Sequence, residues 1–416
     1  MELIKMITPE IIFNTLIAIL VLSFFFNQWI NWLDTTNEPI KLPQEIADIY
    51  DEEKYLKSKK YDKVKTKFSF ISSAFSLLLM LGMLFFDGFA FTDELSRSIT
   101  NHPVLLSLVF FAILMVVSDI VSLPFSLYSI FVIEEKFGFN KTTIKTFILD
   151  KIKGALVATI LGGVVLYLFV WFYSFTGHLF WLWSWFLFVV IMLLMTMFYA
   201  SIFVPLFNKL TPLPEGELRT EIEQYCDKVG FKLDNLFVMD GSKRSTKANA
   251  FFSGLGAKKR IVLYDTLVDN YSKEEITAVL AHEVGHYKKK HTLTTLFLSA
   301  FQVGIMLYLL SLVINSSQIS LALGIDTPSF HIGFLVFSIL YTPLSMLTGI
   351  LMNVVSRKNE YEADNFAKTT YNHLPLISSL KKLSGDSLSN LTPHQINVFI
   401  NYSHPTLLQR IRSLNK

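Results

Sequence analysis

Seven apolar runs divide the chain, at roughly 8–32, 68–91, 103–133, 154–175, 178–206, 293–314 and 330–355. Each is about 20 residues or more, the length a helix needs to cross a bilayer. The first run lacks a basic leading region and a small-residue cleavage site, so it reads as a retained helix rather than a signal peptide. The third is too long for an upright span: Pro124 kinks it, or it leaves the bilayer as an extended helix. Asp119 lies inside that run, where a carboxylate faces either a wet cavity or an interhelical hydrogen bond. Between the fifth and sixth runs, residues 207–292 are polar and patterned as a small α/β unit. A helix is predicted over 215–229 with Gly230 as its stop, and strands over 236–240, 247–253 and 260–264. The last two strands join through a turn at 254–259.

Composition agrees with a membrane setting. The chain is 52% hydrophobic and 17% charged, contains 38 Phe, and has a mean hydropathy of +0.44; soluble domains are more polar. The few charges are unevenly placed. Seven lysines fall between 54 and 67 and five more between 136 and 153, while the segment between them has Asp87, Asp93 and Glu94 against Arg97. Basic and non-basic connections alternate, which predicts seven spans with an external N-terminus. The polar segment 207–292 and the tail after about 356 then share the cytoplasmic face, in a bacterial cytoplasmic membrane or the endoplasmic reticulum. The expected organisation is residues 1–206 as five spans, 207–292 as a soluble core, 293–355 as two further spans, and 356–416 completing the soluble part. Cys226 is the single cysteine, excluding an intrachain disulfide or a thiolate zinc finger. No Gly-rich phosphate loop, internal repeat or nucleic-acid module is present, and the lysines beside the membrane suit anionic lipid headgroups.

The chemistry concentrates at His282-Glu283-Val284-Gly285-His286. On a helix, positions i and i+4 share a face, so both imidazoles can hold one Zn²⁺ with Glu283 beside the open position for water. Ser272-Lys273-Glu274-Glu275 supplies a capping box that starts such a helix three turns earlier. A third protein ligand is required. The downstream candidates are His291, Glu360, Glu362, Asp364 and His404. His291 follows a Lys288-Lys289-Lys290 run on a different helical face and makes a poor ligand. Glu360 and Asp364 stand one turn apart, suiting a ligand and a carboxylate that orients an imidazole, whereas Glu362 points elsewhere. On spacing alone, a solvated helix face explains that cluster equally well. Asn249 and Ala250 fall on a strand that, if at a sheet edge, could pair with an extended peptide; plain scaffold is the alternative.

Taken together the motifs resemble the type I CAAX prenyl proteases. The resemblance runs through Tyr55-Leu56-Lys57-Ser58 and Tyr61, and through Leu123-Pro124 and Tyr128 to Glu134-Glu135-Lys136-Phe137-Gly138-Phe139-Asn140. It continues in Ser242-Lys243-Arg244-Ser245, Asn249-Ala250-Phe251, the HEVGH helix, Glu360-Tyr361-Glu362-Ala363-Asp364 and Ser403-His404-Pro405 with Arg410. One departure is visible: Lys247-Ala248 stands where Ser or His, then Ser or Ala, is expected. The resemblance implies a mainly α-helical multi-pass membrane protein, with about seven helices around a large intramembrane chamber and a small α/β zinc-metallopeptidase domain on the cytoplasmic side. It implies one Zn²⁺ per chain on His282, His286 and Glu360, with Asp364 orienting an imidazole. Glu283 would be the general base, His404 an oxyanion donor, and Asn249 and Ala250 the backbone-aligning pair. Arg357 and Arg410 would bind the substrate's C-terminal end. The expected reaction removes the last three residues of a prenylated CAAX peptide. Two rivals share parts of this pattern: a membrane-protein quality-control metalloprotease with no prenyl requirement, and a non-enzymatic channel or scaffold with a structural metal.

Overall fold

The computed structural model describes residues 8–37, 42–232, 235–254 and 259–416. Most of the predicted 254–259 turn therefore lies outside the described residues. Helices long and apolar enough to cross a membrane form Pro9–Thr36 (α1), Glu52–Phe85 (α2), Pro103–Phe137, Ile144–Phe207 and His291–Val313. Their outer faces present bare Phe25, Leu78, Ile120, Leu156 and Phe186. Apolar surface on that scale is stable only against lipid.

Several expectations about these spans are corrected. The lysine-rich 33–67 segment is not a loop throughout: α2 begins at Glu52 and runs 34 residues without a break, its N-cap Asp51 accepting a hydrogen bond from the Lys54 amide. No proline interrupts it and its one glycine, Gly82, comes near the end, so the apolar span continues a basic helix that projects from the bilayer. The 87–102 connection holds a helix, Gly88–Ile99 (α3), entered through a left-handed Asp87. Pro103–Phe137 (α4) keeps Pro124 inside a 35-residue helical run that passes through a wide π-helical turn at Ser129–Glu134. Asp119 on α4 meets one of its two readings: it accepts an interhelical hydrogen bond from Lys151 Nζ of the next helix, and its side chain is exposed. The run 144–207 doubles back where Gly177 takes φ +55°, giving α5 (144–176) and α6 (180–207). Ring contacts between Phe169 and Phe188 and between Phe172 and Trp183 show that the two arms are antiparallel.

The last apolar run is not one straight helix. It bends by 57° between Phe330–Leu340 and Thr342–Thr370. Pro343 sits in the first turn of the second piece, where a missing N–H is tolerated and a continuous helix is not.

The polar segment folds into a four-stranded sheet in the order β1-β2-β4-β3, with strands Leu210–Pro212 (β1), Leu236–Met239 (β2), Ala250–Ser253 (β3) and Arg260–Tyr264 (β4). Strand β1 was not visible in the sequence pattern; its three residues continue straight out of α6. The second predicted strand, 247–253, starts at Ala250 rather than Lys247, and it stands at the sheet edge, antiparallel to β4. Helix Glu217–Lys228 (α7) covers the sheet with Lys273–Lys288 (α8). Their core joins Ile222, Leu263, Leu267, Ile276, Leu280 and Val284 to Ala367, Leu376 and Leu414. Residues on both sides of the final membrane helices thus share one hydrophobic core.

Candidate metal centre

Helix α8 starts as the sequence indicates: the Ser272 hydroxyl accepts from the Glu275 amide and the Glu275 carboxylate accepts from the Ser272 amide. Its inner face buries Ala281 and Gly285 against Ala363 and Ala367 of Thr342–Thr370. Contact is so close that a Cβ on Gly285 would lie 3.1 Å from the Cα and carbonyl oxygen of Ala363. Backbone atoms cannot step aside, so Gly285→Ala must push the two helices apart. The gain in helix propensity offsets about 1 kcal/mol, and overpacking costs about 1–3 kcal/mol. The expected result is a lower melting temperature and faster loss of metal to a chelator, measured on the purified protein in detergent.

That crossing brings three donors together. His282 Nε2 and His286 Nε2 are 3.1 Å apart, and they lie 3.4 and 3.3 Å from the two carboxylate oxygens of Glu360. A tetrahedral ion with bonds of 2.0–2.1 Å needs donors about 3.3–3.4 Å apart. Glu360 is 5% exposed, and its Oε2 is buried without a hydrogen-bond donor, an expensive condition unless a cation sits there. The donor set fits a metal ion.

Each imidazole is oriented from behind. His282 Nδ1 donates to Asp364 Oδ1 at 2.9 Å, and Arg410 grips Asp364 through Nε (2.9 Å) and Nη2 (2.6 Å). His286 has a different support. Its Nδ1 is 3.0 Å from Nδ1 of His291, whose Nε2 lies 3.2 Å from Glu362. The consistent tautomers are His286 Nδ1–H donating to His291 and His291 Nε2–H donating to Glu362, leaving His286 Nε2 free for a metal. Sequence spacing set His291 aside as a poor ligand and pointed Glu362 away from Glu360 and Asp364, and it gave neither a supporting role; for His291 the reason is that it assumed an unbroken helix. Lys290 adopts φ +60°, ending α8 and starting His291–Val313 (α9) in a new direction, so His291 folds back onto His286. The basic run 288–290 was the only local sign of that break.

Burial disfavours a charged imidazole at His282, but the carboxylates of Asp364 and Glu360 outweigh it and push the pKa up to about 9. Surroundings that bind a proton this firmly also favour a cation on the same nitrogen.

The metal donors line a 310 Å³ cavity with Glu283, Asn249, Ala250, His404 and Arg410. His404 is exposed at its mouth, with Nε2 3.3 Å from Glu360 Oε1. The Ser403 hydroxyl, 2.9 Å from His404 Nδ1, can donate there and leave Nε2–H pointing into the site. Arg357 lies outside this group. It donates to the carbonyls of Val398 (3.1 Å) and Tyr402 (2.5 Å), holding the segment that carries His404. On the other side, Glu283 and His286 also border a 510 Å³ cavity whose walls combine Met192, Met195, Phe252 and Leu296 with threonines, serines and Asn359.

Comparisons with known proteins agree with this architecture. Residues 31–209 match the family described as CAAX prenyl protease N-terminal, five membrane helices, and residues 212–416 match Peptidase family M48. The chain is 38% identical to CAAX prenyl protease 1 of Saccharomyces cerevisiae over 90% of this chain and 88% of the relative. It is 32% identical to the CAAX prenyl protease 1 homolog of Homo sapiens, over 95% and 94%. The crystal structure of S. mikatae Ste24p superposes with a TM-score of 0.92 at 36% identity, covering 97% of this chain and 99% of that one.

Proposed function

Since the chain belongs to the M48 metallopeptidases of the CAAX prenyl protease type, we propose that it removes the C-terminal tripeptide from prenylated CAAX peptides with one zinc ion. His282, His286 and Glu360 hold the ion, and Asp364 and His291 orient the imidazoles. When bound, zinc polarises the scissile carbonyl and acidifies water. Glu283 takes the proton from the attacking water and delivers it to the leaving amine. His404 Nε2–H donates to the carbonyl oxygen as negative charge builds there, where a fixed donor contributes most. Asn249 and Ala250, at the free edge of the sheet, align the peptide by adding it as a further strand. The hydrogen bonds of Arg357 and Arg410 favour holding roles for these two residues over direct contact with substrate.

One observation carries the substrate class: the Glu283–His286 side of the site opens into the 510 Å³ cavity whose walls include the membrane-helix residues Met192, Met195 and Leu296. An isoprenoid seated there need not enter water. The lysine-rich N-terminal half of α2 and the lysines of the 136–153 segment support a cytoplasmic placement of the site and seven passes in all. The test incubates purified protein with a farnesylated CAAX peptide and its unprenylated twin, with and without chelator. Cleavage restricted to the lipidated peptide and abolished by chelator is expected. Equal cleavage of both peptides would establish the quality-control reading instead.

A further inference from the structure

The reaction proposed above needs a device that places the cut three residues from the chain end, and we propose that Lys247 is that device, binding the free C-terminal carboxylate of the substrate. This rests on the prenyl-peptide reading, which sets the peptide's direction. Phe252, toward the C-terminal end of β3, borders the 510 Å³ cavity that Met192, Met195 and Leu296 help to wall, whereas Asn249 and Ala250 at its other end border the metal donors. A prenylated cysteine seated in that cavity therefore sends the released residues past Ala250 and Asn249 toward Lys247, antiparallel to β3. Consecutive residues of an extended chain advance about 3.3 Å. If the first released residue pairs with Ala250, the third lies opposite Ala248, and its carboxylate reaches the level of Lys247.

Lys247 is built for such a task. Its Nζ is 3.0 Å from Glu134 Oε2 and 3.1 Å from the Tyr61 hydroxyl, and it stands 4.2 Å from the centre of the Phe139 ring. Tyr61 in turn donates to Glu134 Oε1 at 2.5 Å. An ammonium has three N–H groups; two are engaged here and the third remains for a carboxylate oxygen. Holding the flexible side chain in place beforehand removes the entropy that a free lysine would lose on binding. Tyr61 and Glu134 come from α2 and the end of α4, two segments the catalytic chemistry does not use. Beyond Ala248 and Phe139 an 840 Å³ polar cavity opens, lined by four lysines against three carboxylates. Lys54 and Lys382 of that lining pair with Asp386 and Glu275, and among the described residues Lys57 and Lys141 have no ion pair with a carboxylate. Arg410 and Arg357, the arginines nearest the metal donors, are held by Asp364 and by backbone carbonyls, as Lys247 is held by Glu134 and Tyr61.

The test compares a farnesylated CAAX peptide ending in a free carboxylate with the same peptide ending in an amide. Wild type should prefer the acid by roughly ten- to hundred-fold in kcat/KM, mainly through KM, as a charge-assisted hydrogen bond implies. K247Q should collapse that ratio toward one, and K247R should keep most of it. If K247Q does not fold, Tyr61→Phe removes one partner of the ammonium and should lower the ratio several-fold. A wild-type ratio near one, or a ratio unchanged in these variants, overturns the proposal. Failure of the prenyl reading is seen separately, as equal turnover of an unprenylated free-acid peptide.

Discussion

Glu283→Gln should abolish peptide cleavage while leaving the metal bound. Glutamine keeps the size and the polar contacts of the side chain but cannot take a proton at neutral pH. Glu283 is half-buried between the two cavities and is not one of the three converging donors, so the ion's coordination is untouched. Loss of a positioned general base lowers turnover by about 10²–10⁴-fold. Elemental analysis should find one zinc per chain in both proteins, with kcat of the variant reduced by about a thousand-fold. A variant that retains metal but also retains cleavage would remove Glu283 from the chemistry. For a channel or scaffold with a structural metal, no peptide cleavage exists to be lost, which separates that class as well.

The second large effect is expected at Glu360. Glu360→Ala should strip the metal and eliminate activity together. The carboxylate is the only negative charge among the three donors, and Arg410 Nη1 stands 3.7 Å from its Oε2. Without it, an incoming dication meets two imidazoles and a guanidinium balanced only by Asp364 and Glu283. Losing an orienting partner costs metal sites about 10–100-fold in affinity; Asp364→Asn should fall in that range. Removing a ligand outright should exceed it, leaving well under one zinc per chain after dialysis against a mild chelator. Metal retained at full stoichiometry in Glu360→Ala would move the third ligand to another residue, with His404, 3.3 Å from Glu360, the alternative within reach.

These two experiments bear on residues that the sequence made visible for different reasons. His282, Glu283 and His286 occupy one helical turn, and helix geometry alone puts them on one face. Glu360 and Asp364 could be singled out as a pair, but their meeting with His282 could not be derived from spacing. It depends on a crossing in which Gly285 touches Ala363. A glycine in the motif gave no indication of which helix it would touch.

The relay behind His286 was illegible for a sharper reason. Periodicity assigns faces only while a helix continues, and the left-handed Lys290 ends it. His291, set aside as a poor ligand, becomes the support of one, and Glu362, which spacing pointed elsewhere, completes the chain. Arg410 and Arg357 were read as cations awaiting a substrate. Tertiary packing gives Arg410 to Asp364 and Arg357 to two carbonyls, with Arg410 still lining the cavity of the metal donors.

Local forces, read from the chain alone, determined that this is a membrane protein made of long apolar helices, with a capped helix presenting a metal-binding pair. Apolar length, helical periodicity and capping chemistry act over neighbouring residues and need no knowledge of the remainder. The tertiary structure decided which distant carboxylate closes the metal triangle, what orients each imidazole, and that Lys247 meets Tyr61 and Glu134 beside the free strand edge. Those contacts join residues up to 186 positions apart. Their partners are chosen by how helices and sheet pack, a global property that no short-range pattern encodes.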